Sequence, residues 1–550
     1  MSEMKDKKKV FILSAIVWLF VFCCGMFFTS GVNFFFEDFH FLHLDKEHSL
    51  FEVNPQPTLQ RTLLAIPKEF FSPKQLLHAG FSATLNDRPF FFLSNDLFSI
   101  LFKDNLALYR IFRAAILATI GVLIFLIVWP ASLFLAFLSV IWFSSSGQVW
   151  AVLIGAGDIN LYAQLAMITS VAIFLHLLKS NKPGLKRILV SYLMILFISQ
   201  YAVLSKGDGR YLAAVFFLTL LCFRKQQLRS HLPMLVVLFL AEVPLLGYIS
   251  KLFFGFPYTP IDIGSHSSTS FGSIVNSVME NYQYPIVALG KLSLMLLALA
   301  VFVYLCLLLF RRGKAGFIAN GSKFVLLKER TFFFMLYFIF SFIVISVSRN
   351  FNYSGFYSLD FSETMCFIVP FLLFLCYYVA FIADYAGGSY RRFFIVITAI
   401  FLAAQIVKFE LPRLNRFRGA WGNYICSLGN TERYIDKSSG NALVFYLNTM
   451  PYKPFVFSGS KNRVIMDNSP ADKNPFCDLS YIESKFKEGY ADIFVVNSYN
   501  ELKFRGQSQK IKLVDMTAID GDCGDFYDRF KHFIRRPSQK IVFVYRFGIK

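Results

Sequence analysis

Charged side chains are scarce in this 550-residue chain, and acidic ones are scarcer than basic ones. Charged residues make up 16% of the chain against 56% hydrophobic residues, and 35 acidic residues stand against 55 basic ones. The mean hydropathy is +0.52. A soluble fold has too little interior to hide apolar blocks of about 20 residues that recur along the chain. The composition therefore predicts a polytopic α-helical membrane protein.

The chain also lacks one continuous basic patch, although its formal net charge is +20. The basic residues fall in short clusters between apolar blocks, as expected where positively charged loops stay in the cytoplasm. A nucleic-acid-binding protein would instead concentrate its basic residues on one face. The charge pattern excludes nucleic acid as a partner and indicates membrane topology.

No small-residue cleavage site follows the first apolar block, which is preceded by the basic cluster "KDKKK". We therefore expect an uncleaved anchor whose amino terminus lies in the cytoplasm. Eleven apolar blocks are predicted to be transmembrane helices, at 10–32, 112–129, 131–147, 159–178, 187–204, 211–223, 231–250, 286–310, 331–348, 364–383 and 393–409.

Alternation from a cytoplasmic start puts four basic connections on the cytoplasmic side, namely "KSNKPGLKR", "RKQQLR", "RRGKAGFIANGSKFVLLKER" and "GGSYRR". Their agreement supports the topology, which depends most on a hairpin at Pro130 and on the short block 211–223. The predicted transmembrane module is then 1–409, and its first exported loop is 33–111. The chain from 410 to 550 is predicted to be exported.

The carboxy-terminal stretch 410–550 has a different composition from the rest. It contains strand-like runs such as "ALVFYL", "PFVFSG", "RVIMDN", "ADIFVVN", "IKLVDM" and "KIVFVYRF", with the helical stretch "LSYIESKFKEGY" between them. These runs predict a small exported α/β domain. Export also permits a disulfide between Cys477 and Cys523, although nothing in the sequence requires it. The polar residues of this stretch show no nucleophile or metal-ligand spacing.

Two adjacent acids, Glu37 and Asp38, stand among phenylalanines just after the first predicted helix. Acids commonly mark the point where a helix leaves the bilayer, which is one interpretation of the pair. The other is catalytic: a carboxylate beside apolar surface is desolvated, becomes more basic, and can accept a proton from a hydroxyl group. The pair is predicted to lie at the exported boundary of the membrane under either interpretation.

The arrangement of these motifs resembles the GT-C superfamily of integral membrane glycosyltransferases, which use polyprenyl-phosphate-linked sugars. The resemblance rests on an acidic pair in a long first exported loop, and on the order of the stretches that follow. The matching stretches are "FFFEDFHFL" at 34–42, "NDRPFFFLSNDLFSILFKDNLALYRIFRAAIL" at 86–117 and "LSKGDGRYLAAVFFLTLLCF" at 204–223. In the third stretch Gly207 and Asp208 replace the glutamate that usually follows.

The resemblance implies a GT-C-like fold and transfer of a sugar, of the inverting type, from a polyprenyl-phosphate carrier to an acceptor hydroxyl on the exported face. It implies that Asp38 is the catalytic base and that Glu37 is the second candidate. The leaving phosphate needs positive charge, which exported Arg349 and Arg210 can supply first, followed by Lys206 and by Arg88 and Arg110 of the first loop. Anchoring to lipid head groups is the alternative role of these cations. The acceptor is a glycan, a lipid or a protein.

Other polar residues carry open alternatives. Asp158 is either a second acid or a capping residue at the start of the fourth helix. His40 and His43 have a spacing that suits a divalent metal ion, and solvated histidines are the alternative; no cofactor is certain. Glu242 lies inside the seventh predicted helix, where an ionisable side chain is expected to face the bundle interior.

Two other functions remain open from the sequence. An O-antigen polymerase or ligase also handles polyprenyl-linked sugars, but such enzymes carry their key residues in a late exported loop. A lipid or polysaccharide transporter usually shows internal repeats, and the hydropathy shows no such repeat. We expect a multi-pass protein of a bacterial inner membrane, with a cytoplasmic amino terminus and a periplasmic carboxy terminus.

Overall fold

The computed structural model describes most of the predicted helical blocks and much of the carboxy-terminal region. The described residues are 2–29, 101–102, 106–146, 149, 158–180, 183–205, 211–242, 298, 301, 322–347, 365–386, 388–410, 430–437, 442–447, 463–467, 475–497, 502–519 and 542–550.

Ten helices coincide with ten of the predicted apolar blocks, because long runs without charge form helices that satisfy their own backbone hydrogen bonds. They are α1 Ser2–Thr29, α2 Leu106–Val128, α3 Leu133–Ser145, α4 Asp158–Leu177, α5 Leu185–Ser205, α6 Leu212–Phe223, α7 Lys225–Glu242, α8 Ser322–Val347, α9 Met365–Ala386 and α10 Gly388–Gln405.

Five of these helices, namely α1, α2, α4, α5 and α9, are long and apolar enough to cross a membrane. Three further apolar stretches are shorter: Leu133–Ser145, Leu212–Phe223 and Ile395–Lys408. Of the predicted block 286–310, only residues 298 and 301 are described. A mostly helical protein with several membrane-length helices is therefore confirmed, and the total of about eleven spans stays a prediction.

A tight turn after α2 bears out the hairpin predicted at Pro130. Residues 129–131 form the turn, and Ser132 begins α3 by accepting a hydrogen bond from the backbone N–H of Leu135 at 3.4 Å. Proline fixes its own φ and cannot donate a backbone hydrogen bond, so it suits such a turn. The helices α2 and α3 therefore run in opposite directions.

Pairs of side-chain contacts fix the directions of α6 and α8. Arg224, just after α6, bonds Glu329 near the start of α8 at 2.9 Å, whereas Tyr211, just before α6, bonds Ser341 late in α8 at 2.5 Å. The two helices are therefore antiparallel. The 12 residues of α6 rise about 18 Å at 1.5 Å per residue, less than the hydrocarbon core of a bilayer.

Further contacts show the relative directions of other helices. Tyr192 meets His231 and Gln200 meets the carbonyl of Ala241, so α5 and α7 are parallel. The ring pairs Phe342–Phe367 and Phe324–Phe381 make α8 and α9 antiparallel. The ring pairs Phe112–Tyr162 and Trp142–Phe371 connect the starts of α2 and α4, and the end of α3 with the first half of α9.

The bundle consequently has two distinct ends, which we name after buried residues. At the Glu242 end, α2, α4, α6 and α9 begin and α3, α5, α7 and α8 end; the opposite level is the Arg330 end. The described residues of the four basic connections lie at the Arg330 end, next to the ends of α4, α6 and α9 and the starts of α5, α7, α8 and α10.

The interior between the two ends is apolar and rich in aromatic rings. Phe174, Phe216 and Phe333 stack in its centre, with ring centroids 3.9 Å apart for the first pair and 5.8 Å for Phe174 and Phe333. All three rings are fully buried. Each buries a large apolar area, so this stack holds α4, α6 and α8 together.

The carboxy-terminal region contains a five-stranded sheet, as the strand-like runs predict. The strands are β1 Ala442–Leu447, β2 Arg463–Asp467, β3 Asp492–Asn497, β4 Ile511–Ile519 and β5 Val542–Ile549. Their order is β2-β1-β3-β5-β4, in which β1 is parallel to β2 and β3 while β5 is antiparallel to β3 and β4. The run "PFVFSG" lies outside the described residues.

Both faces of the central strands are buried. Leu443 and Phe445 face a cluster that includes α12, Leu479–Phe486, whereas Val444 and Tyr446 face a cluster that includes Ile435 of α11, residues 430–437. An α/β fold of this region is therefore confirmed. Cys477 is buried on the α12 side, and Cys523, its predicted disulfide partner, lies outside the described residues.

Candidate functional site

Most of the site residues predicted from the sequence cannot be located, because they fall outside the described residues. This applies to the acidic pair, the histidines and three cations of the predicted phosphate site: Glu37, Asp38, His40, His43, Lys206, Arg210 and Arg349. Asp158 is the first residue of α4 and lies at the Glu242 end. Its backbone position agrees with both of its predicted roles.

The described helix ends that precede or follow these three cations in the sequence lie at the Glu242 end. Residues 206–210 join Ser205, the last residue of α5, to Tyr211 just before α6, and both of these residues lie at this end. Arg349 follows Val347, the last residue of α8, by two positions. The polar groups that the described helices bury at the Glu242 end are therefore the candidates for a functional site.

Glu242 is the centre of a buried polar layer at this end. Its Oε2 atom accepts a hydrogen bond from the backbone N–H of Ala213 at 2.8 Å, and the residue is only 1% exposed. On the preceding residue, the carbonyl of Ala241 accepts a hydrogen bond from the amide of Gln200 at 3.2 Å. The end of α7 is thus bonded to both α5 and α6.

Aromatic side chains extend this layer in two directions. The hydroxyls of Tyr211 and Ser341 share a hydrogen bond of 2.5 Å, which connects α6 to α8. Tyr162 of α4 meets Phe112 of α2 and Tyr201 of α5, with ring centroids 6.4 and 6.3 Å apart. Polar and aromatic residues therefore form a continuous belt across α2, α4, α5, α6, α7 and α8.

Several buried polar atoms near this belt have no hydrogen-bond partner within the described part of the chain. They are Oε1 of Glu242, both amide atoms of Gln164, and the indole Nε1 of Trp142. A buried polar group left without a hydrogen bond costs free energy, so proteins rarely keep one without a purpose. Polar side chains inside a membrane-spanning bundle usually face a ligand path or a water-filled cavity.

Arg113 is a buried residue of this region that the sequence analysis missed. It lies in α2, three residues after Arg110, and only 5% of it is exposed. Its neighbour Phe112 makes the ring contact to Tyr162 described above. The signal available in the sequence was an arginine within the apolar run "IFRAAIL", since a charged side chain at that position seldom faces lipid.

Asn160 and Gln164 add neutral donors and acceptors on α4. They are four residues apart, so they lie on one face of the helix, and both are buried. Together with Arg113 and Glu242 they supply a cation, a carboxylate and two amides at one end of the bundle. Such a set can hold an anionic group and orient hydroxyl groups through hydrogen bonds.

The Arg330 end also buries polar groups, and most of its charged side chains have partners, although Nη1 of Arg330 and Nε2 of His231 have no hydrogen bond within the described part of the chain. Arg224 donates two hydrogen bonds to Glu329, of 3.1 and 2.9 Å, and Arg330 donates one to the carbonyl of Leu175 at 2.8 Å. These bonds join α6, α8 and α4. Their geometry explains how charged residues are accommodated there, and it indicates a structural role.

No group of three potential metal-ligating side chains occurs among the residues that the structure describes. The predicted divalent-ion site at His40 and His43 is outside this set and stays a prediction.

Comparison of the chain with protein-family models and with curated protein sequences finds no match in either. Its function must therefore be argued from the residues themselves.

Proposed function

We propose that this protein is a membrane glycosyltransferase that moves a sugar from a polyprenyl-phosphate carrier to an acceptor hydroxyl on the exported face. The observation that carries the proposal is the buried polar layer at the Glu242 end, with Arg113 and the unpaired atoms of Gln164 and Glu242. A lipid-linked substrate needs buried polar groups that can bind its head group near one membrane surface, and this layer offers a cation, an acid and two amides there.

The Glu242 end is the exported side in this proposal. The basic connections lie at the opposite end, and basic residues are enriched in cytoplasmic loops. We expect the first predicted loop, with Glu37 and Asp38, to be on the same side as the polar layer, since the loop leads into α2, which begins at the Glu242 end. The protein would belong to a bacterial inner membrane, with its carboxy-terminal sheet in the periplasm.

The reaction requires a base and a site for the leaving phosphate. Asp38 accepts the proton of the acceptor hydroxyl as its oxygen forms a bond to the anomeric carbon, and the bond from that carbon to the phosphate oxygen breaks. Polyprenyl phosphate leaves with the electron pair of that bond. Glu37, the neighbour of the base, raises its basicity through like charge.

The leaving phosphate is held by arginine and lysine side chains. Arg349, Arg210 and Lys206 follow or precede helix ends at the Glu242 end, and we add Arg113, which α2 buries at that level. A guanidinium group can bond two phosphate oxygens at once, and the attraction between the two charged groups is stronger where water is excluded. Asp158, the first residue of α4, is either a second acid or a helix cap.

The carboxy-terminal sheet serves as an accessory domain that shapes the choice of acceptor. Truncation near residue 425, in a correctly inserted protein, should lower the rate or change the acceptor preference. An unchanged rate and acceptor preference would show that the sheet has no role in sugar transfer.

The central experiment uses Asp38→Asn, Glu37→Gln and the double variant that combines the two. Glu52→Gln, in the same predicted loop, is the matched control. The measurement is release of polyprenyl phosphate from a sugar-labelled donor, in nanodiscs with a lipid extract that supplies acceptors. We expect Asp38→Asn to lower turnover about 10²- to 10⁴-fold, the usual contribution of a general base. Glu37→Gln should lower it less, and the control should not change it.

The same experiment separates the alternatives. Full turnover in all four variants would mean that Glu37 and Asp38 mark the membrane boundary and have no catalytic role. An O-antigen polymerase or ligase would release the carrier as a pyrophosphate and would depend on a late loop instead. A transporter would move the donor between leaflets without breaking its sugar–phosphate bond.

A further inference from the structure

The strand β4 carries an unusual number of exposed apolar side chains. Leu513 is 47% exposed, Val514 48% and Met516 41%, and Ile549 on the neighbouring strand β5 is 64% exposed. We refer to these four residues as the β4 patch. The strand lies at the edge of the sheet, where an apolar surface of this kind usually marks an interaction site.

The register of the two strands shows why the patch is continuous. Ile511 is opposite Ile549, Leu513 opposite Phe547 and Met516 opposite Tyr545. Residues directly opposite each other in an antiparallel pair lie on the same face. Leu513, Met516 and Ile549 therefore surround the outer margin of the buried Tyr545 and Phe547.

A bulge in β4 affects Val514, the fourth residue of the β4 patch. The register shifts between Leu513 and Asp515, and the side chain of Val514 lies over Gly548, whose added Cβ would be 3.0 Å from Cγ2 of Val514. Val514 thus lies on the opposite face of the sheet from Leu513, Met516 and Ile549, because successive residues of a strand point to opposite faces and the bulge inserts one extra residue before Met516. The apolar surface consequently extends around the edge of the sheet.

Exposed cations border the β4 patch. Lys510 immediately precedes β4 and Lys512 lies in it, and the backbone N–H of Lys550, which follows Ile549, bonds the carbonyl of Lys510 at 2.9 Å. Lys503 and Arg505 are exposed on either side of Phe504, whose ring contacts Tyr545 and Phe547. The patch is therefore apolar in its centre and positive around it.

The acids on this surface do not balance those cations. Asp515 accepts hydrogen bonds from Tyr434 and Thr517, and Glu483 accepts one from Ser508. The carboxylate of Asp478 lies beside Gly506 and interacts with the charge of Arg505, so three carboxylates stand against the five cations of the border among the described residues. The surface therefore suits a partner that is both negatively charged and able to receive apolar side chains.

The edge strand β4 is poorly suited to pair with a β-strand of another protein. A bulge and a lysine in an edge strand hinder pairing with the strand of another protein. Neither feature hinders contact with a membrane, whose anionic head groups attract lysine while its interface accepts apolar side chains. The combination on β4 is thus selective for a lipid surface.

The position of the sheet in the chain favours the same partner. Residues 411–429 join Glu410, at the end of the helical region, to α11. At about 3.3 Å per residue they span roughly 60 Å at most. A tether of this length keeps the sheet at high effective concentration beside the membrane that holds the helices.

We propose that the β4 patch and its basic border dock the carboxy-terminal sheet onto the anionic surface of the membrane. The proposal goes beyond sugar transfer and rests only on the part of the proposed function that places the helices in a membrane. Docking would hold the sheet over the exported ends of the helices.

The test uses the full chain in nanodiscs of phosphatidylcholine, with or without about one third phosphatidylglycerol, an ordinary anionic test composition. Hydrogen exchange of the 511–519 amides is followed by mass spectrometry. We expect exchange several-fold slower in the anionic nanodiscs than in the zwitterionic ones. Added salt should remove most of this difference, because it screens the attraction between lysine and head groups.

Three variants identify the residues responsible. Leu513→Glu, and the double variant Lys510→Glu with Lys512→Glu, should each abolish the difference between the two nanodiscs. Lys487→Glu changes an exposed lysine of the turn after α12 and should leave the difference unchanged. Exchange of the amides in the buried strand β1 reports whether each variant has kept its fold.

The remaining outcomes contradict the proposal. Equal exchange in both nanodiscs at low salt would exclude the anionic surface as the partner. Protection that increases with protein concentration would assign the patch to a second copy, and equal protection in detergent would assign it to another part of the same chain. Failure to enter nanodiscs would refute the membrane placement itself, whereas sugar transfer is measured separately.

Discussion

Glu242, the last residue of α7, caps the start of α6 through a hydrogen bond of 2.8 Å from the backbone N–H of Ala213. The residue before α6, Tyr211, makes no side-chain cap of its own, since a tyrosine side chain is too long to bond the first amides of the helix. A carboxylate at this point satisfies a donor that the helix leaves open and interacts favourably with the helix dipole.

This relationship predicts different effects for two substitutions. Glu242→Ala removes the acceptor and leaves the buried N–H of Ala213 without a partner, which should lower the free energy of unfolding by about 1–3 kcal/mol. Glu242→Gln keeps a carbonyl oxygen in the same place and should retain most of the stability. Thermal unfolding of the two variants in detergent measures the difference, and equal midpoints for Glu242→Ala and the unchanged protein would contradict the capping role.

The sequence was sufficient to locate the helices because their signals are local. A long apolar run must satisfy its backbone in a helix, and Pro130 between two such runs specifies a turn. The alternation of strand-like runs after residue 440 likewise specified the sheet. The interior orientation expected for Glu242 is also confirmed, since an ionisable group within an apolar helix has few alternatives.

The partners of buried polar residues could not be predicted in the same way. Ala213 and Glu242 are 29 positions apart, and Tyr211 and Ser341 are 130 apart. Which of these residues meet depends on how far each helix is rotated and shifted, and apolar periodicity does not specify that in a bundle apolar on all sides. Arg113 was missed although the apolar run around it indicated an interior position, and its partners depend on the same rotation and shift.

Arg113 leads to a second prediction, which tests its proposed part in phosphate binding. Arg113→Gln should lower kcat/KM for the lipid-linked donor about 10- to 100-fold, the cost of losing one or two hydrogen bonds to a charged group. Arg113→Lys should recover part of that loss, because lysine keeps the charge but cannot bond two oxygens at once.

Arg229→Gln is the control, since Arg229 is exposed and lies at the opposite, Arg330 end of the bundle. We expect its kcat/KM to stay close to that of the unchanged protein. Thermal unfolding of all three variants shows whether a loss of activity follows from a loss of fold. Equal donor kinetics for Arg113→Gln and Arg229→Gln would exclude Arg113 from the phosphate site.

The last prediction concerns the acid stability of the carboxy-terminal sheet. The hydrogen bond from Tyr434 lowers the pKa of Asp515 below its ordinary value, with a smaller contribution from Thr517 and the charge of Arg546 nearby. An acid whose pKa is lower in the folded state stabilises that state above its unfolded pKa, and the effect is lost as the pH falls through the folded pKa. Protection of the β4 amides should therefore decline below about pH 4, the ordinary pKa of aspartate.

Asp515→Asn should weaken that decline, because asparagine does not titrate, and should lower protection above pH 4, because the charged acceptor is lost. Tyr434→Phe removes the hydrogen bond that contributes most and should change the pH dependence in the same direction. Hydrogen exchange of residues 511–519 in the full chain, corrected for the intrinsic effect of pH on exchange, measures both variants. Asp436→Asn, in the same helix as Tyr434, is the control. A decline of the same size in Asp515→Asn and the unchanged protein would mean that another acid governs the edge of the sheet.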